Sequence, residues 1–170
     1  MRLVTLLLLS ILLLASCGND DEPDKEGNCL TAVINGEDFV GESVTGVFVE
    51  TTIEYENLGT QNTRILTITG TIPSLGGETK TIMLTFACGE LQSELDYVDT
   101  DEDCGVGMSY SITEFLNPNG AIVVMPMTGL IVVQELSADR IKGTFTFSGE
   151  DQNGDPYNFT DGFFDTEIIQ

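Results

Sequence analysis

Apolar and polar side chains alternate with a period of two at several places along this chain, and no other pattern limits its fold as strongly. Between Ile65 and Ile72, residues Leu66, Ile68, Gly70 and Ile72 fall on one face and Thr67, Thr69 and Thr71 on the other. Between Thr79 and Phe86, Ile82, Leu84 and Phe86 oppose Thr81 and Thr85, and between Ile141 and Ser148, Ile141, Gly143, Phe145 and Phe147 oppose Lys142, Thr144, Thr146 and Ser148. A strand sends successive side chains to opposite faces, so these segments read as strands with one buried and one wet face. Weaker strand signals lie at Leu30–Ile34, Phe39–Glu56 with a break, Met108–Glu114, Ile122–Met125, Leu130–Leu136, Tyr157–Thr160 and Phe163–Ile169. Turn-forming residues separate them at Asn35-Gly36, Asn57-Leu58-Gly59, Pro73–Gly77, Asn117–Gly120, Ser137–Asp139 and Asp151–Asp155. Asp161-Gly162 suits either a hairpin turn or a kink within one longer strand. About ten short strands with tight connections imply an all-β domain, an antiparallel β-sandwich or an open, curled barrel.

The N-terminus is of another kind. Arg2 precedes a 13-residue apolar run, Leu3 to Ala15, broken only by Thr5 and Ser10. A permanent membrane span needs about 20 apolar residues, so this run reads as an export signal rather than an anchor. Leu14-Ala15-Ser16-Cys17 then resembles the lipobox of bacterial lipoproteins, in which the cysteine becomes the lipidated first residue of the mature chain. An ordinary secretory signal also suits the cleavage site, but the order, the spacing and the position of Cys17 favour the lipoprotein. Gly18–Asn28 carries five acids, one Lys and no large apolar side chain. It cannot bury enough surface to offset chain entropy and is expected to be a disordered tether reaching about 35 Å at most. The expected organisation is a signal peptide over 1–16, a lipidated cysteine and acidic tether over 17–28, and one β domain over 29–170.

Charge removes several functions. Twenty-eight Asp and Glu face six Lys and Arg, a net −22, and cleavage of the signal would remove Arg2 and no acid, giving −23. Six basic residues cannot build the cationic stripe that phosphate backbones require, so nucleic acid is not an expected partner. With no His, Ser-His-Asp and Cys-His catalysis and imidazole-ligated zinc are excluded. Carboxylate chemistry remains, and no pair of acids stands in a recognisable catalytic context. No catalytic residue and no cofactor are therefore expected. With no Trp, sugar stacking would fall to Tyr55, Tyr97, Tyr110 and Tyr157.

Besides Cys17 there are Cys29, Cys88 and Cys104. An exported protein meets an oxidising compartment, and Cys88 with Cys104 would close a loop of about 15 residues, stabilising by about 3 kcal/mol. Cys29 with either partner is the competing pairing. The segment Glu94–Asp103 holds six carboxylates in ten residues and reads as an exposed loop, in which Asp99, Asp101 and Asp103 are the candidate calcium ligands beside the simpler reading of a solvated charge run. Asp151–Asp155 superficially matches the opening of a calcium loop, but its glycine is early and the twelfth position is Gly162, so a turn explains it better.

The last third, with Ile141-Lys142-Gly143-Thr144-Phe145-Thr146-Phe147 and Thr160-Asp161-Gly162-Phe163-Phe164, resembles a family of Bacteroidetes outer-membrane lipoproteins of unknown function. The segment Leu30–Phe39 is similar to that family's start, a strand running into Asn-Gly with an aromatic following. The resemblance implies a compact β domain on a lipid anchor and carries no catalytic residues. An acidic run just after the lipidated cysteine also looks like the surface-export signal of such lipoproteins. In physical terms Gly143 and Gly162 would let strands bend or approach closely, while Phe145, Phe147, Phe159 and Phe163 would fill the core. The expectation is an outer-membrane, lipid-anchored, cell-surface protein with a non-catalytic binding or structural role and a glycan or protein partner. The alternatives are a glycan-binding accessory protein of polysaccharide uptake and a carboxylate-dependent hydrolase.

Overall fold

A computed structural model describes residues 27–55, 59–73, 77–88, 96–98, 104–114 and 117–170. The elements are all strands: β1 (Cys29–Ile34), β2 (Glu37–Val40), β3 (Ser43–Tyr55), β4 (Gly59–Pro73), β5 (Glu78–Cys88), β6 (Asp96–Val98), β7 (Cys104–Glu114), β8 (Asn117–Leu136), β9 (Arg140–Asp151) and β10 (Pro156–Ile169). Adjacent pairing runs β3-β4-β5-β7-β8-β9-β10, and β10 returns to β3, so seven strands close a barrel. The closing contact is parallel and two residues long, Ile168 opposite Gly46 and Ile169 opposite Val47. Every other pairing is antiparallel. Hairpin β1-β2 lies beside β10, and β6 adds to β8.

Alternation places the core inside the barrel. Leu66 and Ile68 of β4, Ile82, Leu84 and Phe86 of β5, Val133 of β8 and Ile141 of β9 are buried, while the threonines between them on β4 and β5 are partly exposed. This closure through Ile168 and Ile169 answers sandwich against barrel in favour of the barrel. At Asn35-Gly36, φ values of 50° and 86° match the two left-handed central residues of a type I′ hairpin.

Several expectations are corrected. Several strands are long rather than short, with 13 residues in β3 and 20 in β8. Ile122–Met125 and Leu130–Leu136 belong to one strand, β8, whose register with β9 shifts between Pro126 and Thr128 and again between Val133 and Glu135. The Asn117–Gly120 turn is also part of β8, whose first residue Asn117 already pairs with Glu114 of β7. Of the two readings of Asp161-Gly162, the one within a longer strand is found, as a bulge inside β10. Phe159 opposes Phe147 and Gly162 opposes Phe145, so three residues of β10 advance against two of β9. Asp161 takes φ 52°, and the extra residue reverses the in–out phase. As a result Phe164, not Phe163, is the core residue: Phe164 is fully buried, while Phe163 is half-buried with Lys142 Nζ 5.7 Å from its ring centroid.

Gly143 and Gly162 sit at close approaches, as expected. A Cβ on Gly143 would overlap the Val132 carbonyl oxygen and the Phe164 ring, and one on Gly162 would overlap the Phe145 carbonyl oxygen and ring.

Candidate functional site

The two ends of the barrel differ. At one end aromatic rings fill the interior. Phe147 and Phe159 stack with centroids 4.0 Å apart and planes at 8°, and Tyr110 lies 5.4 Å from Phe159 and 5.9 Å from Tyr157. Burial, followed by the charges of Tyr157, Glu37 and Glu78, pushes the Tyr110 hydroxyl up to about 12. Burial likewise raises Tyr157, ahead of the nearby Asp151 and Asp155 charges. These two tyrosines are thus packing elements instead of an exposed stacking platform for sugar, because β7 and β10 place them on the inward phase.

The β9–β10 turn closes the same end. The Asp151 carboxylate accepts backbone N–H groups from Asn153 at 2.8 Å and Asp155 at 2.9 Å, together with the Asn153 amide at 3.3 Å. The Asp155 N–H bond is the first cause holding Asp151 below the usual carboxylate range. Its oxygens are engaged by protein donors, so the segment behaves as the turn its early glycine suggested, with Gly154 at φ 84°.

At the opposite end lies a cavity of about 510 Å³. Its position follows from strand phase. Val44 and Gly46 of β3 are buried, and the same phase continues outward to Phe48 and Glu50; on β4 the inward Ile68 and Leu66 lead to Arg64. Phe48 pairs directly with Leu66, and Glu50 with Arg64. The inward column therefore ends in a cross-strand ion pair, Arg64 Nε to Glu50 Oε1 at 3.2 Å, with the two side chains 47% and 67% exposed. Leu136 and Ile168 complete the apolar wall, and Ser137, Ala138 and Gln170 lie along the rim.

The rim is held by short-range bonds. Ser137 N–H donates to the Arg140 carbonyl at 2.8 Å and Ser137 Oγ to Asp139 Oδ1 at 2.8 Å. Gln170 Nε2 donates to the Ala138 carbonyl at 3.1 Å, and Ile168 N–H to the Asp139 carbonyl at 2.8 Å, fixing the end of β10 against the β8–β9 turn. Outside the wall, Arg140 Nε donates to Asp165 Oδ1 at 2.6 Å. Asn28 Oδ1 accepts the Glu167 N–H at 2.8 Å, so the chain joins the barrel at the cavity end. A volume of this size with an apolar wall and few polar groups suits a small molecule in a barrel mouth.

The sequence candidates are distributed differently. Cys17, Asp99, Asp101 and Asp103 lie outside the described residues. Asp96–Val98, expected within a loop, forms β6 on β8, with Tyr97 opposite Ile131. Among the described residues no group of three or more His, Cys, Asp or Glu could hold a metal. Cys88 stands directly opposite Cys104 in the β5–β7 register. Neither Cys29 nor Cys88 is a free thiol. Cys88 belongs to the inward phase with Phe86 and Leu84, and Cys29, opposite Asp165 in the β1–β10 register, is also buried. Among the described side chains that line the cavity the one carboxylate is Glu50, and it is paired with a guanidinium. The Glu50–Arg64 pair was not among the sequence candidates. Its signal was a charged residue on the inward phase of a strand, Arg64 two residues before Leu66, which marks where a barrel interior opens to water.

No family model, curated protein or solved structure matches the chain.

Proposed function

We propose that this protein is an exported lipoprotein, held on the outer membrane through lipid on Cys17 and facing outward, whose barrel serves a non-catalytic binding role at the cell surface. The observation that carries this reading is Leu14-Ala15-Ser16-Cys17 directly after the apolar run Leu3–Ala15. Several acyl chains at about 0.8 kcal/mol per buried methylene would keep the mature chain on the membrane. The resemblance to Bacteroidetes lipoproteins in 141–147 and 160–164 supports the same address, as does the acidic run after Cys17.

A disulfide at Cys88 is part of the proposal, with Cys104 as its register partner and Cys29, also no free thiol, as the competing one. Register partners in an antiparallel pair sit within the Cα separation that a disulfide spans. Such a bond fits an oxidising compartment.

The binding role rests on the barrel-end cavity with its wall of Phe48, Leu66, Leu136 and Ile168. The test of the address is metabolic labelling of cells with radioactive palmitate followed by detergent partitioning and protease treatment of intact cells. Labelled protein in the detergent phase, lost in Cys17→Ala and digested on intact cells, supports the reading. An unlabelled wild-type chain in the aqueous phase would refute the anchor.

A further inference from the structure

We infer that the barrel-end cavity takes a small amphiphile with a zwitterionic head, its apolar body on Phe48, Leu66, Leu136 and Ile168 and its two head charges on Arg64 and Glu50. This rests on the reading of the barrel as a binding domain and adds the class of ligand. Three observations lead to it.

The first is which polar atoms remain unspent. Ser137 Oγ is bonded to Asp139, and Gln170 Nε2 to the Ala138 carbonyl. Arg64 uses Nε and Glu50 uses Oε1 in their mutual bond, which leaves the terminal guanidinium nitrogens and Glu50 Oε2 without a further partner among the described residues. A guanidinium edge recognises a carboxylate or phosphate through paired N–H donors, and a carboxylate oxygen recognises an ammonium.

The second is the balance of charge. Of the described side chains that line the cavity, the charged ones are one cation, Arg64, and one anion, Glu50, on a chain whose net charge is −22. A singly anionic ligand meets the repulsion of the whole body and of Glu50. A singly cationic one is drawn equally to acids all over the surface and is repelled at this rim by Arg64. A head bearing both signs close together meets neither penalty and satisfies both residues.

The third is the wall. Four large apolar side chains behind the ion pair give a zwitterion without an apolar body little to bind, and the cavity of about 510 Å³ lies within the usual range for small-molecule sites. Two ligand sources share this chemistry: an α-amino acid with a large apolar side chain, and a single-chain lipid with a phosphocholine-type head. The cavity opens at the end where Asn28 leads into the barrel, which under the anchor reading is the membrane side.

The experiment measures binding by calorimetry to the full-length, processed chain in nanodiscs, using two head-group series. One is phenylalanine, N-acetylphenylalanine and phenylalaninamide; the other is hexylphosphocholine, hexyl sulfate and hexyltrimethylammonium. In at least one series the zwitterion should bind about tenfold or more tightly than either singly charged member, and which series does so identifies the source. Glu50→Gln should move the preference to the anion and Arg64→Gln to the cation, an exchange that a merely structural pair would not produce. Ala138→Trp, which fills the mouth from an exposed position, should abolish binding of all members. Both ion-pair side chains are solvent-exposed, so the two Gln variants should melt with the wild type. Equal binding of the three heads, or a preference unchanged in both variants, would overturn the zwitterion while leaving the cavity as a binding site. Binding of no member of either series would overturn the cavity reading as well.

Discussion

Phe159 and Phe164 lie five residues apart on the same strand and both point into the barrel. A regular strand would put them on opposite faces. The extra residue at the Thr160–Asp161 step, with Asp161 at φ 52°, restores the common face and does so against both neighbours, since the β1 register slips at the same place, between Thr31 and Val33. The bulge lets one strand serve two stretches of core: Phe159 in the stack with Phe147, and Phe164 edge-on to Phe86 at 6.2 Å.

Two adjacent phenylalanines should therefore respond very differently to truncation. Phe164→Ala is expected to lower stability by about 3–5 kcal/mol, the range for a fully buried aromatic. Phe163→Ala should cost about 1 kcal/mol, from partial burial and the Lys142 contact. Urea unfolding of the two variants measures this, and equal losses would contradict the phase reversal.

The sequence made the barrel wall legible where alternation ran unbroken, as in Leu66–Ile72 and Ile82–Phe86, because burial there follows period two alone. It misled where the register shifts. Phe163 looked like core because a bulge is invisible to a parity count, and Asn117-Pro118-Asn119-Gly120 looked like a turn because its residues favour one locally, whereas β8 already begins at Asn117, opposite Glu114 of β7. The cavity was illegible for a different reason. It depends on β3, β4, β8 and β10 meeting at one end, and the two-residue parallel contact of Ile168 and Ile169 with β3 that brings them together leaves no periodic mark.

Oxidation of Cys88 to Cys104 should be visible in a non-reducing peptide map as a single linked pair of peptides. Cys104→Ser is expected to lower stability by about 3 kcal/mol, the value for closing a loop of about 15 residues. A map with Cys88 and Cys104 in separate peptides would show that the register pairing of the two strands is not used.

Asp151 gives the β9–β10 turn a pH dependence of known sign. Its carboxylate is held below its ordinary value of 3.8 by N–H donors, the Asp155 N–H first. For a carboxylate lowered in the folded state, the stabilisation is complete above the unfolded value and is lost as pH falls through the folded one. The difference in urea midpoint between wild type and Asp151→Ala should thus be greatest near neutral pH and shrink steadily as the pH is taken below 3.8. A difference independent of pH across that window would mean that the ionised carboxylate does not hold the turn.

Tyr110 should impose the opposite dependence at alkaline pH. Burial lifts its hydroxyl from 10.0 to about 12, so the folded state keeps the proton over a range in which the unfolded chain releases it. A phenol raised in the folded state contributes nothing to the pH dependence well below 10, and the fold loses stability as pH climbs from 10 towards 12 because deprotonation favours the unfolded chain. Ultraviolet titration of phenolate absorbance should show a late-ionising tyrosine near 12 in the wild type, and that step should vanish in Tyr110→Phe. The same substitution should flatten the alkaline decline in melting temperature without removing it, because Tyr157, 5.9 Å away, is also raised by burial. If all four tyrosines titrated together near 10, the aromatic end of the barrel would have to be open to water, and the contrast between a filled end and a cavity end would fall with it.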